Sequence, residues 1–364
     1  MSDALRTYLE HPYRSDDGVR ARLARARAEE PHVAIWREYA ERARQVGVFS
    51  ALAAVFPQLR FPIQEGISQE PAYGAATRRG RIEEADAFSP GLLLERPESL
   101  ILTFSDGVAG LLPLLIAATR ADFESLVRAF TERNEPRDVP ASMGACFVKG
   151  LNNWDRVARY RRVWEAENGT AGDDDAWREE LGRFAAQKAR YQDRFVILSR
   201  GPYSGVAGAE VRVTETEWLE RSLIVRAEHE STHDLTWRLF GIVRSHATDE
   251  IIADFVGLVR AFGVYPDGIA RVLLGVDRLP DFRPGGRLAN YRGTPALDDD
   301  DFAEVCTLAA DATRQLAVVA TRHGSHLVDP TFLAGLVHAL SVASLPELAD
   351  DGLADAVDAR LAER

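Results

Sequence analysis

The sequence is poor in lysine, cysteine and long apolar runs. Lysine occurs only at Lys149 and Lys188, so arginine supplies the other 42 of the 44 basic residues. Two cysteines, Cys146 and Cys306, cannot build the disulfide framework of a small secreted protein, and they favour a reducing, cytoplasmic setting. A formal net charge of −12 excludes the basic surface that duplex nucleic-acid binding needs.

The longest apolar segment is Gly107–Ala118, and Pro113 interrupts it. It is shorter than the ~18 residues that a membrane-spanning helix requires. Residues 1–27 are polar and rich in arginine, without the apolar stretch of a secretory signal. We therefore expect no membrane partner and a cytoplasmic location.

The 364 residues are enough for two domains. Segments typical of strands precede residue 213, whereas helical periodicity dominates after it. We predict an α+β fold with an N-terminal α+β lobe at 1–213, which faces the substrate, and a predominantly helical lobe at 214–364. Residues Leu111–Arg128 are predicted to be helical. The predicted strands are Ser99–Phe104, Ala145–Val148, Arg194–Leu198 and Glu210–Val213.

A long helix is predicted at Glu215–Phe240. Thr214 and Glu217 match a capping box at its start, and Gly241 is placed to end it. The middle of this helix carries the H-E-x-x-H motif His229–His233.

The spacing of this motif has a direct chemical meaning. Residues four apart lie on one face of a helix, so the imidazoles of His229 and His233 can reach the same ion. Glu230 lies one position further round, where it can hold a water molecule without binding the metal. We predict one Zn²⁺ bound by the two histidines, with Glu230 as the catalytic base.

Seventeen positions after His233, the chain continues with the E-x-x-A-D pattern Glu250–Asp254. With this second pattern, Arg226–Leu258 resembles the gluzincin branch of the zincin metallopeptidases. The resemblance implies a zincin-like fold with a small sheet beside the motif helix, and Arg194–Leu198 as the strand that borders the cleft. It also implies that Glu250 is the third zinc ligand, and that Asp254 supports a zinc-binding histidine through its other ring nitrogen.

Three further phrases resemble an uncharacterised group of bacterial proteins. They are FPIQEGIS at Phe61–Ser68, RNEP at Arg133–Pro136 and MGACFVKGLNNWDR at Met143–Arg156. This second resemblance implies a bacterial source and one integrated unit, and it implies no activity.

The last of these phrases concentrates rare residues. Lys149, Asn152 and Asn153 follow a predicted strand and directly precede Trp154. Polar residues at strand ends often lie in functional loops. We predict that they bind substrate on the side that faces the metal, with Lys149 as a point charge for a carboxylate or phosphate. Alternatively, the two asparagines cap the helix that starts at Trp154.

Other residues near the motif leave choices open. An oxyanion opposite the metal needs a hydrogen-bond donor, and Tyr203, Tyr265 and Tyr291 all lie in loops rich in glycine and proline. The sequence does not choose among them. Glu228, beside the motif, is expected to be a solvated charge or a neighbour of the metal ligands.

Three functions fit these observations. The first is a zinc hydrolase that attacks an amide or peptide carbonyl. The second is a metalloenzyme on a zincin-like core that acts on a small molecule and does not cleave proteins. The third is a binding protein without turnover, which the intact Glu230 argues against. Substrate identity and oligomeric state are left open.

Overall fold

A computed structural model describes residues 1–14, 18–242 and 244–362, with Val19 and Arg20 described by their backbone alone. The helices are α1 (Asp3–Leu9), α2 (Val19–Arg27), α3 (Pro31–Val46), α4 (Val48–Ala53), α5 (Pro71–Arg79), α6 (Arg120–Thr131), α7 (Trp154–Asn168), α8 (Asp174–Ala185), α9 (Glu215–Phe240), α10 (Ala247–Phe262), α11 (Asp267–Leu274), α12 (Asp299–His323), α13 (Pro330–Ser341), α14 (Leu345–Leu348) and α15 (Leu353–Ala362). The strands are β1 (Ile101–Gly107), β2 (Gly110–Ile116), β3 (Ala145–Asn152) and β4 (Gln192–Leu198).

By its internal packing the chain divides into two units. We call them the helical unit and the sheet unit. The helical unit consists of Met1–Ala28, Ser105–Gly110 and Gly201–Arg364. The sheet unit consists of Glu29–Phe104 and Leu111–Arg200.

These units differ from the two lobes predicted on either side of residue 213, because the helical unit contains segments from both sides of that residue. The N-terminal helices belong to the helical unit because Leu5, Tyr8 and Ala26 lie in its apolar core. That core contains side chains from α9 and α10, including Trp218 and Phe255. Helices that are far apart in the sequence therefore share one core, and their separation along the chain does not predict this.

The four strands form one mixed sheet in the order β1-β2-β4-β3. Strand β2 runs parallel to β4, and β3 runs antiparallel to β4. From α9 onward the described chain contains helices and no strand. The prediction of an α+β fold with a small sheet and a predominantly helical C-terminal half is confirmed.

The helix predicted at Leu111–Arg128 is wrong in its first part. Gly110–Ile116 forms the buried strand β2, and helix α6 starts at Arg120. A short apolar run has no periodicity that separates a buried strand from a buried helix. Pro113 within it lacks the N–H that a helix interior requires, which favours the strand.

The strand predicted at Glu210–Val213 is also wrong. Gly208–Val211 forms a short 3-10 helix, and Arg212 after it has a left-handed φ of 60°. The Glu210 carboxylate accepts a hydrogen bond from the backbone N–H of Ala207 at 3.2 Å, which stabilises this tight turn. Alternation of apolar and polar residues over four positions is too short to outweigh such local hydrogen bonding.

Arg194–Leu198 was expected to border the cleft, and this expectation is corrected. These residues lie in β4, which pairs with β2 on one side and β3 on the other. Phe195 and Ile197 belong to the apolar core of the sheet unit. A strand with both edges paired has no free edge to offer a substrate.

No helix among the described residues is both long enough and apolar enough to cross a membrane.

Candidate metal centre

Helix α9 carries the motif, and its ends match the sequence prediction. The Thr214 hydroxyl accepts a hydrogen bond from the backbone N–H of Glu217 at 3.3 Å. At the other end Gly241 adopts a left-handed φ of 77°, which suits a residue without Cβ. The 26-residue helix places the motif near its middle.

The motif segment of α9 buries many polar side chains. Apolar residues such as Trp218 and Leu235 anchor the helix in the core on either side of the motif. A buried polar group destabilises the fold unless it finds a partner, so a run of them on one helix indicates a site. The buried polar residues are Arg226, Glu228, His229, Ser231, Thr232, His233, Asp234 and Thr236.

Helix α10 brings two carboxylates to the motif. The ring of His246 caps its start by accepting a hydrogen bond from the backbone N–H of Thr248 at 3.2 Å. Further along, Gly257 allows close packing on α9, because a Cβ there would lie 2.8 Å from the carbonyl oxygen of Val225. Glu250 and Asp254 are one turn apart, so both project from the same side of α10.

The two imidazoles and the Glu250 carboxylate converge on one point. The Nε2 atoms of His229 and His233 are 3.0 Å apart. Glu250 Oε2 lies 3.3 Å from His229 Nε2, and Glu250 Oε1 lies 3.5 Å from His233 Nε2. The structure thus brings together the three residues predicted to bind the metal.

These separations fit a tetrahedral zinc site. Two atoms bound to zinc at ~2.0–2.1 Å in tetrahedral geometry lie about 3.3 Å apart. Two imidazole nitrogens and one carboxylate oxygen are also the donor set typical of catalytic zinc, which leaves a fourth position open. His229, His233 and Glu250 therefore fit zinc in both geometry and chemistry.

The second ring nitrogen of His229 is held by Asp254. The distance from His229 Nδ1 to Asp254 Oδ1 is 2.9 Å, and the Tyr203 hydroxyl donates to the same carboxylate oxygen at 2.6 Å. Such a carboxylate fixes the ring orientation and leaves Nε2 as the nitrogen that faces His233 and Glu250.

Arg287 and Tyr291 hold the other side of the carboxylate pair. The Arg287 guanidinium donates to Glu250 Oε2 at 2.6 Å and to Asp254 Oδ1 at 3.0 Å. Arg287 also contacts the Tyr203 hydroxyl. The Tyr291 hydroxyl donates to Glu250 Oε2 at 2.9 Å. These bonds occupy Oε2, which leaves Oε1 as the oxygen with capacity for a further ligand.

The electrostatics of this cluster favour a cation. Burial lowers the pKa of His229, but hydrogen bonds with Asp254 and Glu250 outweigh burial and raise the pKa to about 9. Burial raises the pKa of Asp254, yet the positive charge of Arg287 and the bond with His229 hold it below its usual value. Glu250 follows the same pattern, with the two histidines lowering its pKa. The carboxylates therefore stay ionised around the imidazoles.

Glu230 differs from its neighbours in the motif. Its side chain is half-buried, and it makes no hydrogen bond or ion pair with any residue that the structure describes. A carboxylate without a protein partner has its full acceptor capacity available for water.

Glu228 is buried, so the expectation of a solvated charge is wrong. Its Oε1 accepts a hydrogen bond from the Ser105 hydroxyl at 3.0 Å and lies 3.7 Å from Arg260 Nε. Burial raises the pKa of Glu228, and Arg260 opposes that rise. The Ser231 hydroxyl accepts the backbone N–H of Ala109 at 3.2 Å. The segment next to this part of α9 is therefore the turn Ser105–Gly110.

The three residues predicted to bind substrate belong to the sheet unit. Lys149 is exposed in β3, and the Asn152 side chain accepts a hydrogen bond from Gln192 Nε2 at 3.1 Å. Asn153 is buried and caps α7, since its Oδ1 accepts the backbone N–H of Arg156 at 3.2 Å. Asn153 thus takes the capping role, while a position of Lys149 facing the metal stays a prediction.

Comparison with known proteins places the chain in a family. A model of the family of unknown function DUF7005 matches residues 1–352. The chain belongs to this family. No curated protein and no solved structure matches the chain.

Sequence reasoning missed Arg287 in this DUF7005 chain and could not choose among three tyrosines. The structure brings the Tyr203 hydroxyl to Asp254 and the Tyr291 hydroxyl to Glu250, whereas the Tyr265 ring packs against Phe255 with ring centroids 4.8 Å apart. Arg287 is one of 42 arginines, and it lies in the short 3-10 helix Arg287–Tyr291, far along the chain from the motif. No local pattern distinguishes it, because its role depends on tertiary contacts with α10.

Proposed function

We propose that the chain is a zinc-dependent hydrolase built on a zincin-like core, in which His229, His233 and Glu250 bind one Zn²⁺. The observation that carries the proposal is the convergence of two imidazole nitrogens, 3.0 Å apart, on the Glu250 carboxylate, whose Oε2 lies 3.3 Å from His229 Nε2 and whose Oε1 lies 3.5 Å from His233 Nε2. Without a metal, His229 carries a proton, because, despite burial, its hydrogen bonds with Asp254 and Glu250 raise its pKa to about 9. A bound zinc ion would replace that proton between the imidazoles and the Glu250 carboxylate.

The resemblance to gluzincins supports the same assignment. In that branch a glutamate on the helix after the motif completes the zinc site, and Glu250 occupies this position. An aspartate four residues later supports a ligand histidine, and the 2.9 Å contact of Asp254 with His229 Nδ1 fits that role. The low cysteine count also favours a cytoplasmic setting for this enzyme.

When bound, zinc supplies Lewis acidity that makes a water molecule nucleophilic near neutral pH. Glu230 accepts the proton of the attacking water on its carboxylate and then passes it to the leaving nitrogen of an amide. Its lack of a partner among the described residues supports this role. Asp254 and Arg287 hold the ligands in place during these steps, and Tyr203 contributes a hydrogen bond to Asp254.

A small-molecule substrate is the second candidate, and the burial of the ligands favours it. His229, His233 and Glu250 are each less than a tenth exposed. Such a centre admits a small or extended substrate more readily than a folded polypeptide. The two candidate functions use the same metal ligands and the same base, and they differ in the size of the substrate that enters the site.

Metal content and one variant test the proposed mechanism. Purified protein produced with zinc in the medium should contain close to one equivalent by elemental analysis. The Glu230→Gln variant should keep its zinc and fold and should lose hydrolysis, because an amide cannot accept the proton. Glu220→Gln changes an exposed glutamate on the same helix and serves as the matched control. A zinc content far below one equivalent, or normal turnover by Glu230→Gln, would refute the proposal.

A substrate panel separates the two candidates. Unstructured proteins and peptides are incubated with the zinc-loaded enzyme, with and without a chelator, beside a set of small N-acyl compounds. Cleavage at many peptide bonds that the chelator abolishes would establish a peptidase. Turnover confined to the small amides would establish the second candidate.

A further inference from the structure

The sheet unit contains a cavity that the metal chemistry does not use. Its volume is about 340 Å³, within the roughly 300–1,000 Å³ of small-molecule sites. Its walls come from α5, from the end of α6 with the following turn, and from β3. All of its described lining residues belong to the sheet unit, and none of them is a candidate metal ligand.

The charge of this cavity contrasts with that of the whole chain. Three cationic side chains line it, Arg78, Arg133 and Lys149, and no described lining residue is acidic. Neither Arg78 nor Arg133 forms an ion pair with a residue that the structure describes. The protein has a net charge of −12 and only two lysines, yet these three cations concentrate positive charge in one cavity.

The position of Arg133 is fixed by its neighbour. Arg133 and Asn134 have left-handed φ angles of 56° and 61°, which non-glycine residues rarely adopt in succession. The buried Asn134 amide donates to the carbonyl oxygens of Gln58 and Phe61 at 2.9 and 3.0 Å. It also accepts a hydrogen bond from the Tyr73 hydroxyl at 3.2 Å. Strained backbone held this firmly is typical of ligand-binding positions.

A buried polar side chain in the cavity wall also lacks a partner. Gln58 is 7% exposed, and its Oε1 makes no hydrogen bond with any described residue. The same side chain lines the cavity. A buried amide of this kind is costly unless a ligand or water completes its bonding. Because Gln58 Oε1 is an acceptor, it indicates a hydrogen-bond donor on the organic part of the occupant, or a water molecule, independently of the three cations.

We propose that this cavity binds a small phosphate monoester, with its phosphate held by Arg78, Arg133 and Lys149. A phosphate monoester carries about −1.5 to −2 charges at pH 7, which suits three cations better than a single carboxylate does. Arginine matches phosphate oxygens with its planar fork, and lysine adds a compact charge. The apolar wall formed by Phe130, Val148 and Leu151 accommodates the organic part.

Titration calorimetry on the full chain tests the proposal, with inorganic phosphate and phenyl phosphate as probes at constant ionic strength. Metal-free and zinc-loaded protein should bind phenyl phosphate equally, with one site and more tightly than inorganic phosphate. Lys149→Gln, Arg78→Gln and Arg133→Asn should each weaken binding by roughly 10- to 100-fold, as expected for lost charge-assisted hydrogen bonds. Asparagine at position 133 tolerates the left-handed backbone, so this variant tests charge without disturbing the turn.

Two matched controls are available in the same unit. Arg79 is the exposed neighbour of Arg78 on α5, and Lys188 is the other lysine of the chain. Arg79→Gln and Lys188→Gln should bind phenyl phosphate like the wild type. Absence of saturable binding, or equal weakening by the controls, would overturn the proposal. Phenyl phosphate binding no tighter than inorganic phosphate would overturn the assignment to an ester.

Discussion

Each unit contains a buried carboxylate paired with an arginine, and the two networks differ in how their acceptors are used. In the sheet unit, Asp193 Oδ2 accepts from Trp36 Nε1 at 2.8 Å and from Asn153 Nδ2 at 2.7 Å. Asp193 Oδ1 accepts from Arg156 at 2.6 Å. Both carboxylate oxygens have donors, so this network needs no further partner.

In the helical unit, hydrogen-bond donors are matched to only some of the acceptor atoms around Glu250 and Asp254. Arg287 supplies donors to Asp254 Oδ1 and Glu250 Oε2, as Arg156 does to Asp193. The Nε2 atoms of His229 and His233, however, face each other and the carboxylate of Glu250. In the metal-free chain, protons on the imidazoles hydrogen-bond to Glu250. The same nitrogen and oxygen atoms can bind a cation when those protons leave.

The pKa directions follow this difference. Burial raises the pKa of Asp193 despite the charge of Arg156. The pKa of Asp254 is lowered, because Arg287, His229 and Tyr203 together outweigh burial. The comparison teaches that burial of charge does not identify a functional site. A group of metal-binding donor types around one point, as at His229, His233 and Glu250, is what makes a candidate site.

Loss of a metal ligand should have the largest effect. His229→Ala, His233→Ala and Glu250→Ala should each weaken zinc affinity by more than ~1,000-fold, beyond the ~10–100-fold typical of residues that only support a ligand. Competition with a chromogenic chelator measures the affinity. His326→Ala alters an exposed histidine and should leave it unchanged. Stoichiometric tight zinc in all three ligand variants would show that the ion lies elsewhere.

Breaking the satisfied network should cost stability and leave zinc binding intact. Arg156→Met leaves Asp193 buried without its cation, which costs about 3–5 kcal/mol of unfolding free energy. Arg159→Met, on the same helix, removes partly exposed ion pairs and should cost less than ~1 kcal/mol. Urea unfolding compares the two variants. Equal costs would mean that the Asp193 network contributes no more than a surface pair.

The residue that supports a ligand should have an intermediate effect. Asp254→Asn keeps the shape of the side chain but loses the charge that fixes His229, so zinc affinity should fall ~10–100-fold. The same chelator competition measures it. A larger loss for Asp254→Asn than for Glu250→Ala would reverse the roles assigned to these two residues.

The smallest effect concerns a third buried network, at the start of α10. His246 Nε2 donates to the Tyr8 carbonyl at 2.9 Å, while Nδ1 accepts from Thr248, so the ring must be neutral. Burial, aided by the charge of Arg244, lowers the pKa of His246 to about 4. The unfolded chain binds this proton near 6.5. Stability should therefore be unaffected above pH 6.5 and should decline as pH falls from about 6.5 to about 4.

The variant His246→Asn keeps a capping side chain that does not titrate. Its unfolding free energy should fall less than that of the wild type between pH 6.5 and 4. Thermal unfolding of both proteins across this range gives the difference. Identical pH profiles would show that His246 does not contribute to acid sensitivity.

Local signals were enough to predict the motif helix. Thr214, the H-E-x-x-H spacing and Gly241 each act within a few residues, and the structure has α9 between the same bounds. The shared face of His229 and His233 depends on helix geometry, which the sequence carries directly. The pairing of Glu250 with the motif was implied by the resemblance to gluzincins.

Features that depend on distant segments could not be predicted. Arg287 and Tyr291 contact Glu250 from a short 3-10 helix, 37 and 41 positions further along the chain, and no periodicity in the sequence predicts that contact. Strand β2 was mistaken for a helix because pairing with β4 decides its conformation. In both cases the deciding interaction is tertiary and leaves no local pattern.

The most direct test of the central claim is anomalous diffraction at the zinc absorption edge from crystals grown with zinc. The account predicts one strong peak within ~2.0–2.1 Å of His229 Nε2, of His233 Nε2 and of one Glu250 carboxylate oxygen. Crystals of Glu230→Gln should show the same peak. A map without a peak at these three residues, or with its only peak at other side chains, would contradict the account.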